Sequence, residues 1–406
     1  MNMNTPQIIM LIILGIWLAL LLYDMYKMIH IVIIRNTFTK LHKSVSAGNA
    51  ALKLPKLTVI LPVRNEEANI KDCLSLLMKQ NYPVKNYKIV VVNDQSTDKT
   101  ASIASKIIGS KRNVKLLHTP ALPEGWVGKN HACHRGVMNE KSDYFCFIDA
   151  DTRPSEHLMS ASMIHCLKNN VDVFSVSPMH DMKSVSERLF LPGIFLAVSN
   201  SLNIRKMNSK KSKKGITNGQ FIMFKRESYE AIGGHEGVKN IFAEDIALGQ
   251  LAKEAGLNLN FVVTNKNIFS VRMYTGFRSI WEGFAKNMND ITHAKTPLRV
   301  FLHVLKSISQ SLFPILLPAL AYAGITEWGY NIETVLFFMA AYGSLLSFGV
   351  YFGMVFEFGL PLYYAFAFPL GLLVHSGLVV QSYWNDKTGR KSWKGRSYDH
   401  GSVIRS

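Results

Sequence analysis

Acids are scarce in this chain. Asp and Glu number 28 against 46 Lys and Arg, a formal charge of +18 at pH 7 over 406 residues. Such a balance suits an anionic partner: nucleic acid, an acidic membrane face or a phosphorylated small molecule. Cysteine is scarcer still. Cys73, Cys133, Cys146 and Cys166 are scattered, with no CxxC pair. Neither a disulfide framework nor a zinc site is expected, and a reducing compartment fits better. No GxGxxG follows a strand-like run, which removes support for a Rossmann dinucleotide site. "EGWVGKN" (Glu124–Asn130) spaces its glycines too closely for a P-loop and has no Ser or Thr after the lysine, which argues against an ATPase. Internal repeats are missing too. The basic residues cluster beside apolar segments rather than among aromatics, so no nucleic-acid partner is expected.

What the chain does have is hydrophobic length. Apolar residues make up 48% of it, unevenly spread. The run Gln7–Tyr23 can span a bilayer if its ends are included. Nothing basic precedes it, while Lys27, Arg35, Lys40 and Lys43 follow, so residues 1–30 read as an uncleaved anchor with the next domain on the cytoplasmic side. A polar linker is expected over 31–55. Three further runs, Val300–Ala323, Thr334–Phe356 and Leu360–Tyr383, place C-terminal transmembrane segments within 293–384. The first carries Lys306, Pro314 and Pro318, which points to a broken or interfacial segment that does not cross fully. The tail 385–406, with Lys387, Arg390, Lys391, Lys394, Arg396 and Arg405, is expected in the cytoplasm. The sum is a multi-pass protein of the cell membrane.

Residues 56–292 look like a soluble domain. "LTVILPV" (Leu57–Val63), "YKIVVVND" (Tyr87–Asp94), "NVKLLHT" and "YFCFIDAD" read as buried strands, alternating with helical patterns. That alternation predicts an α/β fold with a mostly parallel sheet and helices on both faces, whose ligands bind beyond the carboxyl ends of the strands. Polar residues sit at three of those ends: Pro62, Arg64 and Glu66; Asp94; and Asp149 with Asp151. Strand alternation would put the last two on one side, where their oxygens could share a hard cation with a diphosphate. A nucleotide-sugar site is the remaining fit. His131 and His134, three apart, more readily line a helix than bind metal. "LFLPGIFLAVSNSL" (Leu189–Leu202), followed by six basic residues between Arg205 and Lys214, suits either a core helix or a membrane surface.

These residues resemble a family. "LPVRNEEANI", "VVVNDQSTDKT", "FIDADTRP" and "AEDIALG" stand in the order found in family 2 glycosyltransferases of the GT-A fold, over Thr58–Met288. "LPEGWVGKNHAC", "FRSIWEGFAKN" and "WKGRSY" resemble a membrane-anchored subgroup, the C30-carotenoid (4,4'-diaponeurosporenoate) and hopanoid-associated glycosyltransferases. The resemblance implies an inverting enzyme using a UDP-sugar and a divalent metal, Mn²⁺ or Mg²⁺. It implies Asp94 on the base or ribose, Asp149 and Asp151 as the DxD pair with Asp151 a metal ligand, and Asp245 beside Glu244 as the catalytic base. Lys129 or Arg278 would face the leaving diphosphate. Arg278 and Trp281 only partly match the QxxRW motif of processive synthases, having two residues between them where the motif has none. The expected reaction moves a hexose, glucose first, onto a lipid or isoprenoid acceptor such as a carotenoid acid. The alternatives are a processive polysaccharide synthase or an inactive GT-A scaffold.

Overall fold

The computed structural model describes residues 5–47, 53–286, 288–328 and 332–388, and three short strands beyond them, Lys391–Trp393, Arg396–Asp399 and Ser402–Val403. Of the basic tail, Arg390, Lys394 and Arg405 lie outside the described residues. Two compact units emerge: one of Met1–His30, Met182–Asn203 and Tyr274–Lys387, the other of Ile31–Asp181, Ile204–Met273 and Thr388–Ser406. The strands are β1 (Leu57–Val63), β2 (Tyr87–Asn93), β3 (Val114–His118), β4 (Tyr144–Ile148), β5 (Thr152–Pro154), β6 (Val173–Ser177), β7 (Met179–His180), β8 (Phe221–Lys225), β9 (Leu259–Val263) and β10 (Phe269–Val271). The helices are α1 (Thr5–Ser46), α2 (Ile70–Met78), α3 (Thr100–Ile108), α4 (Gly128–Val137), α5 (Leu158–Asn169), α6 (Val185–Ser201) and α7 (Ile204–Met207). After them come α8 (Arg226–Ala231), α9 (Glu244–Glu254), α10 (Phe277–Ala285), α11 (Met288–Thr292), α12 (Pro297–Trp328), α13 (Ile332–Glu357) and α14 (Phe368–Thr388).

The second unit is an α/β domain. Its main sheet runs β3-β2-β1-β4-β8-β6-β9. Every neighbouring pair is parallel except those made by β8, antiparallel to both β4 and β6. Near-continuous apolar, β-branched strands mark a sheet covered on both faces. Val59, Leu61, Ile89, Val91, Cys146 and Ile148 share one buried cluster with Leu74 and Leu77 of α2, Ala104 of α3 and Met163 of α5. The alternate residues Ile60 and Val92 meet α4 at Gly136, where a Cβ would sit 2.6 Å from the Ile60 Cγ2. Glycine is what lets that helix lie so close. A second, three-stranded sheet pairs β5, β10 and β7.

The segment expected as a linker is largely helix. α1 continues to Ser46, and Phe38, 1% exposed, packs its ring 5.5 Å from Phe174 in the domain core. Val45 joins the same cluster, and His42 hydrogen-bonds the Ser155 hydroxyl at 2.8 Å. Polar composition alone hid this, because the anchoring residues Phe38, Leu41 and Val45 recur at helical spacing on one face only.

The first unit is helical. Four helices among the described residues are long and apolar enough to cross a membrane: Thr5–Ser46, Pro297–Gly324, Ile332–Glu357 and Leu362–Thr388. The expected break in the second of these does not occur. Proline removes a backbone donor to the carbonyl four residues back, and the carbonyl that Pro314 leaves free, that of Gln310, accepts the Tyr351 hydroxyl from α13 instead. Lys306 is held on the same helix by Asp24 at 2.9 Å, which also takes Lys27 at 2.9 Å and the Gln310 amide at 2.7 Å. Helix α6 opens with a capping box of Ser184 and Glu187. Its apolar side is covered by protein: Leu191, Ile194, Leu196 and Ala197 are buried. A Cβ on Gly193 would lie 2.7 Å from the Gly371 Cα of α14, so backbone meets backbone at that crossing. Leu189–Leu202 is thus, as far as Ser201, a helix packed within the helical unit.

Candidate functional site

Strands β1 to β4 run parallel, so their carboxyl ends share one edge of the sheet, and the antiparallel β8 starts at that edge, Phe221 opposite Ile148. Two groups of the sequence-singled residues gather there. The first joins β1 and β2. The Arg64 guanidinium donates to the Asp94 carbonyl at 2.8 Å and the Gln95 carbonyl at 3.2 Å. Asp94, 3% exposed, accepts the Thr119 hydroxyl at 3.3 Å and donates its amide to the Val63 carbonyl. Glu66 accepts the Asn69 side-chain amide at 2.9 Å and so helps to open α2, while Pro62 sits within β1 opposite Val92. The loops interlock further: the Asn65 amide donates to Ser96 and its side chain accepts from Thr97. Asn65 and Gln95 both take left-handed backbone, φ 52 and 53, a conformation that costs most residues of this kind free energy and clusters at binding sites.

The second group centres on Lys129, in the first turn of α4. Its ammonium lies 2.8 Å from Asp149 Oδ1 and 2.9 Å from Glu244 Oε1. Burial alone would pull the lysine pKa down, but the Asp149 and Glu244 carboxylates outweigh it and hold the group well above the usual range. Burial raises the Glu244 carboxyl, with Lys129 opposing. Asp245 is fixed differently. One oxygen accepts the Gly219 amide at 2.8 Å and the other its neighbour Ile246's amide at 2.9 Å, while the Thr217 hydroxyl donates to its carbonyl at 2.6 Å. The lead-in to β8 therefore orients the acid of α9. Gly219 itself was not singled out in the sequence. A Cβ there would stand 2.9 Å from Lys129 Nζ and 3.3 Å from both Asp245 Oδ2 and Glu244 Oε1. The only available signal was "TNGQ", turn residues ahead of an apolar run.

Asp149 and Asp151 are not on a strand, since β4 stops at Ile148. They occupy a tight turn in which Thr152 donates its hydroxyl to the Asp149 carbonyl at 2.7 Å and its amide to the same oxygen at 3.4 Å. Alternation thus says nothing about their sides. Hard oxygens and the ammonium already seated on Asp149 fit a cation at this spot. Among the described residues no three His, Cys, Asp or Glu groups are gathered as a metal site, so two carboxylates would leave most of a cation's shell to a ligand. His131 and His134 flank Trp126, ring centroids at 5.5 and 5.1 Å. Arg278 and Trp281 belong to the helical unit, on α10. Arg278, 91% exposed, pairs along its own helix with Glu282 at 2.7 Å, and Trp281 packs over Gly377 of α14.

Comparison with known proteins points to a class: residues 58–233 match the glycosyl transferase family 2 model. The chain is 30% identical over 241 residues to a 4,4'-diaponeurosporenoate glycosyltransferase of Staphylococcus aureus strain USA300. That match spans 57% of this chain and 60% of the relative, less than two thirds of the relative's length. Among solved structures, a Pyrobaculum calidifontis mannosyltransferase in complex with GDP-Man and Mn²⁺ aligns at TM-score 0.51 and 16% identity, over 92% of this chain and 98% of that one. At that identity the likeness speaks for the fold.

Proposed function

We propose that the chain is a membrane-bound inverting glycosyltransferase. It moves a hexose, glucose first, from a UDP-sugar to a lipid or isoprenoid acceptor such as a carotenoid acid, with the α/β domain in the cytoplasm. The observation that carries the reading is the group at the sheet edge, with Asp149 and Glu244 drawn to one ammonium and Asp245 oriented by two backbone amides. The curated relative's name and the four membrane-length helices support the choice of acceptor.

Inversion is a single in-line displacement, in which an acceptor oxygen attacks the anomeric carbon as the nucleoside diphosphate departs. The reaction calls for orientation of the attacking oxygen and positive charge at the leaving group. Asp94 and Arg64 hold the nucleoside end. Lys129 supplies charge toward the diphosphate. A divalent cation on Asp149 and Asp151, when bound, would neutralise phosphate charge. Asp245 takes the proton from a hydroxyl acceptor. A carboxylic acid acceptor is already ionised at neutral pH, and Asp245 then serves to position it.

The test is a membrane-fraction assay with a panel of labelled UDP-sugars and extraction into organic solvent. Label that enters the lipid phase, needs Mn²⁺ or Mg²⁺ and is lost in Asp151→Ala is the expected result. Label found only in water-soluble polymer would overturn it.

A further inference from the structure

Lys129 does more at this edge than face a diphosphate. Its Nζ touches Asp149 at 2.8 Å and Glu244 at 2.9 Å. The two carboxylate oxygens are therefore no farther apart than those two contacts laid end to end, and the ammonium touches both at once. Asp245 is held instead by the Gly219 and Ile246 amides. Gly219 leaves the space in which the lysine tip sits. The oxygen the lysine holds belongs to one of the two acids that would bind a cation.

We propose that Lys129 is a tethered competitor for the cation: lysine and divalent metal contend for the Asp149 carboxylate, and Glu244 takes up the ammonium when Asp149 turns to the metal. This rests on the reading of Asp149 and Asp151 as metal-binding acids. Glu244 is then a positioning residue acting through Lys129, and the base role rests with Asp245 alone. The arrangement couples two events. In either case the ammonium leaves Asp149 for the Glu244 side: with a diphosphate present it also meets phosphate charge, and with a cation arriving alone it meets Glu244 only. Bare metal should consequently bind weakly, and removal of the lysine charge should tighten it.

The experiment measures Mn²⁺ binding to the full-length protein in nanodiscs, without nucleotide, from the electron paramagnetic resonance signal of free Mn²⁺. Lys129→Met is expected to bind Mn²⁺ at least tenfold more tightly than wild type, because a unit positive charge leaves the carboxylate. Lys129→Arg keeps the charge and is expected within about threefold of wild type. Glu244→Gln removes the alternative seat and is expected to weaken Mn²⁺ binding. The double variant should bind Mn²⁺ as Lys129→Met does, because Glu244 acts only through the lysine. Equal Mn²⁺ affinity in wild type and a folded Lys129→Met would overturn the competition and leave the metal reading standing. If Lys129→Met does not fold, Glu244→Gln decides, and wild-type affinity there overturns the proposal. Failure of wild type and every variant to bind Mn²⁺ would overturn the metal reading and this inference with it.

Discussion

Gly219→Ala is the most demanding perturbation of the site. The added Cβ would come within 2.9 Å of Lys129 Nζ, while ordinary contact begins roughly half an ångström farther out. The yielding group is the tip of a flexible side chain, and Gly219 has no positive φ, so the backbone carries little strain. The ammonium retreats from both carboxylates, now at 2.8 and 2.9 Å. At an effective dielectric of about 20, lengthening each pair by that half ångström weakens it by ~0.9 kcal/mol. The Asp149 pair is the one a cation must displace, and its loss corresponds to roughly a factor of four. Mn²⁺ binding without nucleotide should tighten by about that factor, while the melting temperature of the full chain in nanodiscs shifts by no more than ~3 °C. Mn²⁺ affinity equal to wild type would refute the placement of Lys129. A large drop in melting temperature would instead make Gly219 a folding residue.

Phe38→Ala empties a buried ring site beside Phe174 and should cost about 3–5 kcal/mol. Thermal melts of the full chain should drop by several degrees, and an unchanged melt would mean that the end of α1 is not docked. Gly193→Val sets side-chain atoms against the Gly371 backbone at 2.7 Å and should destabilise the helical unit by about 1–3 kcal/mol, read as lost detergent-resistant protein on size exclusion. The third test concerns acid. Burial first, then the Lys129 and His134 charges, hold His235 down to about 3, and its Nδ1 shares a hydrogen bond with the Tyr229 hydroxyl at 2.9 Å. Between pH 6.5 and 3 the unfolded chain binds a proton that the folded chain refuses, so this group's contribution to stability is lost on acidification by about 1.4 kcal/mol per unit. His235→Phe should flatten the acid limb of a melting-temperature profile, and parallel profiles would sink the assignment.

Much of the domain could be read from local pattern. The runs from Leu57, Tyr87, Val114 and Tyr144 became β1 to β4 because buried strands need continuous apolar residues, a requirement visible within seven positions. The acids at their ends were visible for the same reason, as polar residues placed where a strand must stop. What local pattern could not supply was pairing across distance. Only the folded sheet puts the antiparallel β8 beside β4, and so brings Gly219, Lys129 and Glu244 around Asp149 from four separated stretches. Prolines in α12 looked like breaks because the partner for the freed Gln310 carbonyl, Tyr351, lies 41 positions away. The polar stretch after the anchor looked like a linker because its few apolar residues gain meaning only against Phe174 and its neighbours. Composition and periodicity determined the elements, the membrane-length helices and the acids; tertiary structure decided which charge each acid meets, since that depends on distances no local window contains.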